Sequence, residues 1–164
     1  MTNATERRAG GEARGVTIRP ARVEDLGEAS AVIERVGLFL GGIDAQFGPQ
    51  YVLAIAADGA IVGMAGVETY GSYGLLRSVA VLDSWRGRGI AAELSRDRIA
   101  WARARSLDAV YLFTKHAAPY WARFGFATVP LAALPAALHA AEQWRAARER
   151  DLVSMVLTLP RAGS

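Results

Sequence analysis

Apolar residues in this chain recur at two spacings, and the spacing changes element by element. VTIRPA at 16–21 alternates apolar and polar side chains and stops at Pro20, which predicts a short β-strand. The next stretch carries Leu26, Ala29, Val32, Ile33 and Val36, a three-and-four spacing that gathers them on one helical face. Residues 37–49 are glycine-rich, with room for one short helix in IDAQF before Pro49. YVLAIAADGAIVGMAGVETYG then holds two β-rich runs joined at Asp58-Gly59, a hairpin turn pair. A second turn, YGSYG, leads into LLRSVAVLD, so three successive antiparallel strands are predicted.

After Asp83 the helical period returns. Residues 89–105 place Ile90, Ala91, Leu94, Trp101 and Ala102 on one face, with Arg98 among them. Arg98 is read as a stem along the sheet edge with its head in solvent. AVYLFT at 109–114 is a buried-type strand, parallel to its predecessor because a helix separates them. HAAPYWARF is a short helix ended by Gly125, FATV a brief strand, LAALPAALHAAEQWRAARER a second helical stretch, and DLVSMVLTL a closing strand. The order predicts an α+β fold with a mixed central sheet of about six or seven strands, flanking helices and a parallel step in the middle. Ligands in such sheets collect where neighbouring strands part and a helix begins.

Composition narrows the class. With 164 residues, 52% hydrophobic and 21% charged, the chain reads as globular, with one domain at 16–164 behind a polar, glycine-rich leader at 1–15. Without cysteine it has neither disulfides nor a thiolate zinc site, and His116 and His139 lack metal-ligand spacing, so no metal is expected. No apolar stretch approaches the roughly 20 residues of a membrane span, and the cytoplasm is the expected compartment. The formal charge is +3, but acids sit among most of the scattered arginines and Lys115 is the only lysine, so no nucleic-acid partner is expected.

VAVLDSWRGRGIAAEL at 79–94 carries the chemistry. A strand running through glycines into a helix aims backbone N–H groups and a positive dipole end at one point, which suits an anion. Read plainly, Arg86-Gly87-Arg88-Gly89 is a solvated turn. Gly87, Gly89 and Ala92 also fit a dinucleotide GxGxxA, with Asp108 as the acid 19 residues beyond Gly89. In that motif the acid closes the second strand, whereas Asp108 precedes AVYLFT. A Walker loop fails for want of Gly-Lys-Ser or Gly-Lys-Thr. Arg86, Gly89 and Ala91, as RxxGxA, resemble the acyl-CoA pyrophosphate loop of the GNAT superfamily of N-acetyltransferases. Its LxxVAVxPxxRGxGIGxxL is matched by LLRSVAVLDSWRGRGIAAEL, and its strand, turn and helix ending in GF by VYLFTKHAAPYWARFGF. Within the superfamily, IVGMAGVETYGSYGLLRSVAV and LPAALHAAEQW are most similar to acetyltransferases of arsenic-resistance operons, whose Cys-Pro pair is Arg-Asp here.

The resemblance implies a GNAT fold with acetyl-CoA as co-substrate. It also implies N-acetylation of a small, amino-acid-like amine by direct attack in a ternary complex, a detoxification or resistance activity. On this reading the backbone of Val79, Ala80 and Val81 pairs with the pantetheine arm and polarises the thioester carbonyl. Arg86, Gly87, Arg88, Gly89, Ile90 and Ala91 hold the pyrophosphate, and Thr114 completes the cofactor-binding set. Glu68, the sole acid between Asp58 and Asp83, is either the general base or an exposed strand-end glutamate. The family's usual tyrosine acid is replaced by Trp121, leaving the neighbouring Tyr120 as the candidate. Arg77 and Ser78 are assigned to substrate; a charge inside a strand must be paired or ligand-facing, so Arg77 either holds the acceptor's anionic group or pairs with an acid such as Glu68. A non-catalytic acyl-CoA-binding module and a protein N-acetyltransferase are the alternatives. A homodimer, common in the family, is the other partner the resemblance suggests.

Overall fold

The computed structural model describes residues 15–160; the leader expected over 1–15 lies outside them apart from Gly15. Seven strands form one sheet: β1 (Val16–Pro20), β2 (Tyr51–Ala56), β3 (Ile61–Tyr70), β4 (Tyr73–Val81), β5 (Ala109–Thr114), β6 (Ala127–Val129) and β7 (Val153–Thr158), in the order β1-β2-β3-β4-β5-β7-β6. The helices are α1 (Leu26–Val36), α2 (Ile43–Gln46), α3 (Ile90–Ala104), α4 (Ala118–Ala122) and α5 (Glu142–Arg150). This is the expected α+β architecture with a mixed sheet. Of the described residues, those up to Gly66 together with Ser78–Arg98 form one compact unit, and Val67–Arg77 with those from Ile99 form a second.

In the first unit, β1 and β2 pair antiparallel from Val16↔Ala56 to Pro20↔Val52, and β2 pairs antiparallel with β3. Alternation along β2 sends Tyr51 and Leu53 to one face and Val52, Ala54 and Ala56 to the other. The first face packs on Ala29, Val32 and Ile33 of α1, the second on Ile90 and Leu94 of α3. The β2–β3 register shifts between Ala54 and Ile55, which face Gly63 and Ile61, so Val62 is the extra residue of a bulge. Its carbonyl is still used, accepting the Leu82 N–H at 2.9 Å. Gly66 is required by packing: a Cβ there would fall inside the ring of Tyr51, which is fully buried.

In the second unit the parallel step is short. Tyr73, Gly74 and Leu75 stand against Ala109, Val110 and Tyr111, the first third of β4. On its other edge β5 is paired antiparallel along all six residues with β7, and β6 pairs with the far edge of β7. Leu75, Ala109, Tyr111, Leu134, Leu138 and Ala141 make the core here, with Tyr70, Tyr73, Phe113 and Trp144 packed against it. The second helical stretch differs from expectation. It breaks into 3-10 turns at Leu131–Ala133 and Ala136–Ala140 before α5 begins. Leu134 is held extended (φ −67°, ψ 141°) ahead of Pro135, which disfavours helix in the residue before it, and Ala141 is extended again before Glu142.

The turn from β1 into α1 is fixed by charge. Arg19 donates to both oxygens of Asp25 at 2.9 and 3.0 Å, and the Arg22 N–H donates to Asp25 at 2.8 Å. The Asp25 carboxyl is lowered to about 2, chiefly by the Arg19 hydrogen bonds and further by the Arg22 N–H, against the opposing effect of burial. A depressed carboxylate stabilises the fold above its unfolded pKa, about 3.9, and loses that contribution as pH falls through its folded value. Asp25→Asn is therefore expected to lower the melting temperature at pH 7 and to flatten the acid limb between about pH 4 and 2. A pH series of thermal melts in that window reads it, and an acid limb as steep as in the parent would rule Asp25 out as its source.

Candidate functional site

The candidate residues of the first unit lie on the end of β4 and the loop into α3. Ser78 is the unusual one: inside a strand and 6% exposed, it has φ +58°, a left-handed conformation that costs a non-glycine residue on the order of 1 kcal/mol. Strain of this kind is kept where a strand must turn its backbone toward a task. Val79 beyond it is half-buried, and Ala80 and Val81 return to the core.

From Leu82 the chain makes one 3-10 turn, Asp83–Trp85, then passes through Gly87 (φ +79°) and Gly89 (φ +75°) to start α3 at Ile90. Both glycines hold conformations that side chains resist, and the loop from Arg86 to Gly89 is exposed. The Glu93 N–H donates to the Gly89 carbonyl at 3.1 Å, closing the first helical turn. First-turn N–H groups have no acceptor within their own helix, so the loop ends in the dipole and donor arrangement that binds anions. The two arginines are tethered to the turn itself. Arg86 pairs with Asp83 at 3.2 Å and donates to the Val81 carbonyl at 3.4 Å, while Arg88 lies over the Trp85 ring at 4.3 Å.

Arg98 corrects the sequence reading. Its head is not in solvent: the residue is 4% exposed, and the guanidinium donates to Asp97 at 2.8 and 3.0 Å and to the carbonyls of Pro49 and Gln50 at 3.3 and 2.8 Å. It ties α3 to the backbone that enters β2. An apolar-face position occupied by Arg was the available signal; its acceptors, 48 and 49 residues away, were not readable from the sequence.

In the second unit the structure brings Glu68 and Arg77 together. Glu68 is buried, not an exposed strand-end residue; its Oε2 stands 3.5 Å from Arg77, with both side chains 1% exposed. The pair with Glu68 that one reading of Arg77 anticipated is present. The other oxygen, Oε1, accepts a hydrogen bond from the Tyr70 hydroxyl at 2.9 Å. Burial first, then the Glu68 charge and the hydrogen bond given to it, push the Tyr70 phenol well above its usual value; Glu142 adds to this and Arg77 opposes it. Sequence reasoning missed Tyr70. The signal was its place two residues beyond Glu68, on the same strand face.

Thr114 closes β5, and its Oγ1 accepts the Ala117 N–H at 3.0 Å, fixing the turn into α4. Tyr120 is half-buried, edge-on to Trp121 and Phe124 with ring centroids 5.0 and 5.3 Å away, while Trp121 is in the core. His116 and His139 are exposed, and His139 stacks on Trp144 at 4.0 Å. Among the described residues no three His, Cys, Asp or Glu side chains converge, and no helix is long and apolar enough to cross a membrane.

Comparison with known proteins gives a family and a fold. Residues 27–126 match the Acetyltransferase (GNAT) family. No curated protein sequence matches significantly. N-acetylglutamate synthase from Neisseria gonorrhoeae, complexed with coenzyme A and L-arginine, is similar over 89% of this chain at TM-score 0.71 and 21% identity; the match covers 34% of that protein, so this chain spans about a third of it. A Mycobacterium tuberculosis protein in complex with CoA and a second ligand matches at TM-score 0.70 and 20% identity, over 88% of this chain and 99% of that one. The ribosomal-protein-S18-alanine N-acetyltransferase from Escherichia coli matches at 0.68 and 16%, over 91% and 97%.

The buried pair makes an expectation of its own. Arg77→Met leaves the Glu68 carboxylate without its counter-charge and is expected to cost on the order of 3 kcal/mol. Arg77→Met combined with Glu68→Leu removes both charges and is expected to recover most of that loss. Urea unfolding of the parent and the two variants reads the difference, and a double variant no more stable than the single one would show that charge isolation is not the cause.

Proposed function

The chain belongs to the Acetyltransferase (GNAT) family, and on that premise we propose that it is an acetyl-CoA-dependent N-acetyltransferase acting on the amine of a small, amino-acid-like molecule by direct attack in a ternary complex. The carrying observation is the loop: Gly87 and Gly89 at positive φ, exposed, leading into the first turn of α3. That geometry suits the pyrophosphate of CoA, with backbone N–H groups from Gly87 to Ala91 as donors and Arg86 and Arg88 as flanking charge. The backbone from Val79 to Val81 serves the pantetheine arm and the thioester carbonyl, Thr114 and Tyr120 border the cofactor, and one domain over 16–164 carries the activity. The coenzyme A complexes among the structural neighbours agree with this choice of co-substrate.

An alkyl ammonium, with a pKa near 10, must lose a proton before it attacks. Glu68 is the base in this reading, and Arg77 gives it the counter-charge that a buried carboxylate needs. Attack on the carbonyl then forms the amide bond and releases CoA as its thiol. The name of the Neisseria synthase favours amino acids among acceptors, and the likeness to arsenic-resistance acetyltransferases adds arsenic and phosphorus analogues of glutamate. A second reading, an acyl-CoA-binding module without chemistry, is favoured by one observation: both Glu68 oxygens are already engaged.

Acetyl-CoA at a hundred times its Kd is expected to stabilise the fold by about 2.7 kcal/mol, raising the melting temperature where NAD does not. No shift with acetyl-CoA would end both readings. Thiol release on a panel of amino acids, glutamate analogues and N-terminal peptides separates enzyme from binding module and small acceptors from proteins. Glu68→Gln is expected to lower the rate at least 100-fold while sparing cofactor binding; full activity in that variant would remove Glu68 as base.

A further inference from the structure

Glu68 has a problem as a base. Its side chain is 1% exposed, and the oxygen that does not face Arg77 is occupied by the Tyr70 hydroxyl. Tyr70, two residues further along the same face of β3, is only half-buried. Its hydroxyl links this carboxylate to a side chain that is partly exposed.

We infer that Tyr70 is the group that meets the acceptor amine, passing the amine's proton to Glu68. The inference rests on the acetyltransferase reading and on Glu68 as final proton acceptor. The ammonium N–H gives its proton to Tyr70 Oη as the Tyr70 proton crosses the 2.9 Å hydrogen bond to Glu68 Oε1. The amine becomes neutral, the carboxylate becomes a carboxylic acid, and Tyr70 ends as it began, a phenol. The total charge of protein and amine is unchanged: the amine loses its positive charge as Glu68 loses its negative one, and the Arg77 charge stands unbalanced until Glu68 gives up the proton. The elevated phenol fits a residue that carries protons without resting as a phenolate. The charged and titratable groups around it are Glu68 on its own strand, Arg77 on β4, Glu142 at the start of α5, and Tyr73 and Tyr111 in the same apolar cluster.

The test uses the full chain, its best acceptor from the thiol-release panel, and kcat/KM from pH 6 to 10 for the parent, Tyr70→Phe and Glu68→Gln. At pH 7 both variants are expected to lose about 100-fold. Below the amine's pKa the neutral fraction rises tenfold per pH unit, so both deficits are expected to shrink with pH and to close near that pKa. Acetyl-CoA binding by Tyr70→Phe is expected to match the parent. A Tyr70→Phe rate equal to the parent at pH 7, with Glu68→Gln impaired, would overturn the relay and leave Glu68 acting directly. A deficit constant across pH would assign Tyr70 to packing and overturn it as well. Should Tyr70→Phe fold poorly, the dependence of the parent's kcat on deuterium fraction decides: two protons in flight give a curved plot, and a straight one overturns the relay. A parent that releases no thiol with any acceptor overturns the acetyltransferase reading itself, an outcome distinct from any of these.

Discussion

A carboxylate and a guanidinium, both almost wholly out of water, oblige each other to exist in the second unit of this protein. Removing either ion from water costs several kcal/mol, and their attraction repays that only if both are present and further hydrogen bonds complete them. Glu68 and Arg77 meet that condition on adjacent β-strand segments, with Tyr70 completing the carboxylate. Two apolar residues would fill the same space at lower risk. Charges kept in such a place make sense where a proton or an ion has to be handled.

The first unit solves a similar difficulty to a different end. Arg98 and Asp97 are neighbours in sequence on α3, and the guanidinium spends its remaining donors on the carbonyls of Pro49 and Gln50. Those carbonyls belong to an irregular segment that offers no ladder of its own. A buried arginine supplies in one side chain what a strand would supply through its backbone, and its planar fork does so with fixed geometry. Ser78 adds a local cost in the same unit, held at φ +58° where it is buried.

What the sequence disclosed follows from which physical demands are local. Asp58-Gly59 marked the β2–β3 hairpin because a tight turn needs a residue tolerant of unusual φ, and Gly59 takes φ +89° within the four residues that join the strands. Gly87 and Gly89 marked the loop for the same reason, so their spacing was informative before any contact was known. The three-and-four spacing of Leu26, Ala29, Val32, Ile33 and Val36 gave α1. By contrast, the stretch through Pro135 kept a helical composition while two extended residues, Leu134 and Ala141, cut it into three, and alanine-rich text conceals such breaks. Partner choice was the least legible level. Arg98 on an apolar face and Tyr70 two residues beyond Glu68 were local signals, but the carbonyls that receive Arg98 and the burial of Glu68 beside Arg77 depend on segments brought from elsewhere in the chain.

The placement of β7 has a consequence for how the chain is made. β5 and β6 are separated by a few turns of chain, yet neither pairs with the other; each pairs with β7, which begins 24 residues after β6 ends (153 − 129). A ribosome delivers the two outer partners first, and β5 presents a row of unused backbone donors and acceptors while the intervening 3-10 turns and α5 are still emerging. Such an edge is a template for pairing with other chains. Vectorial synthesis therefore gives this protein a vulnerable interval, ended only when the last strand slides between two that have been waiting for it.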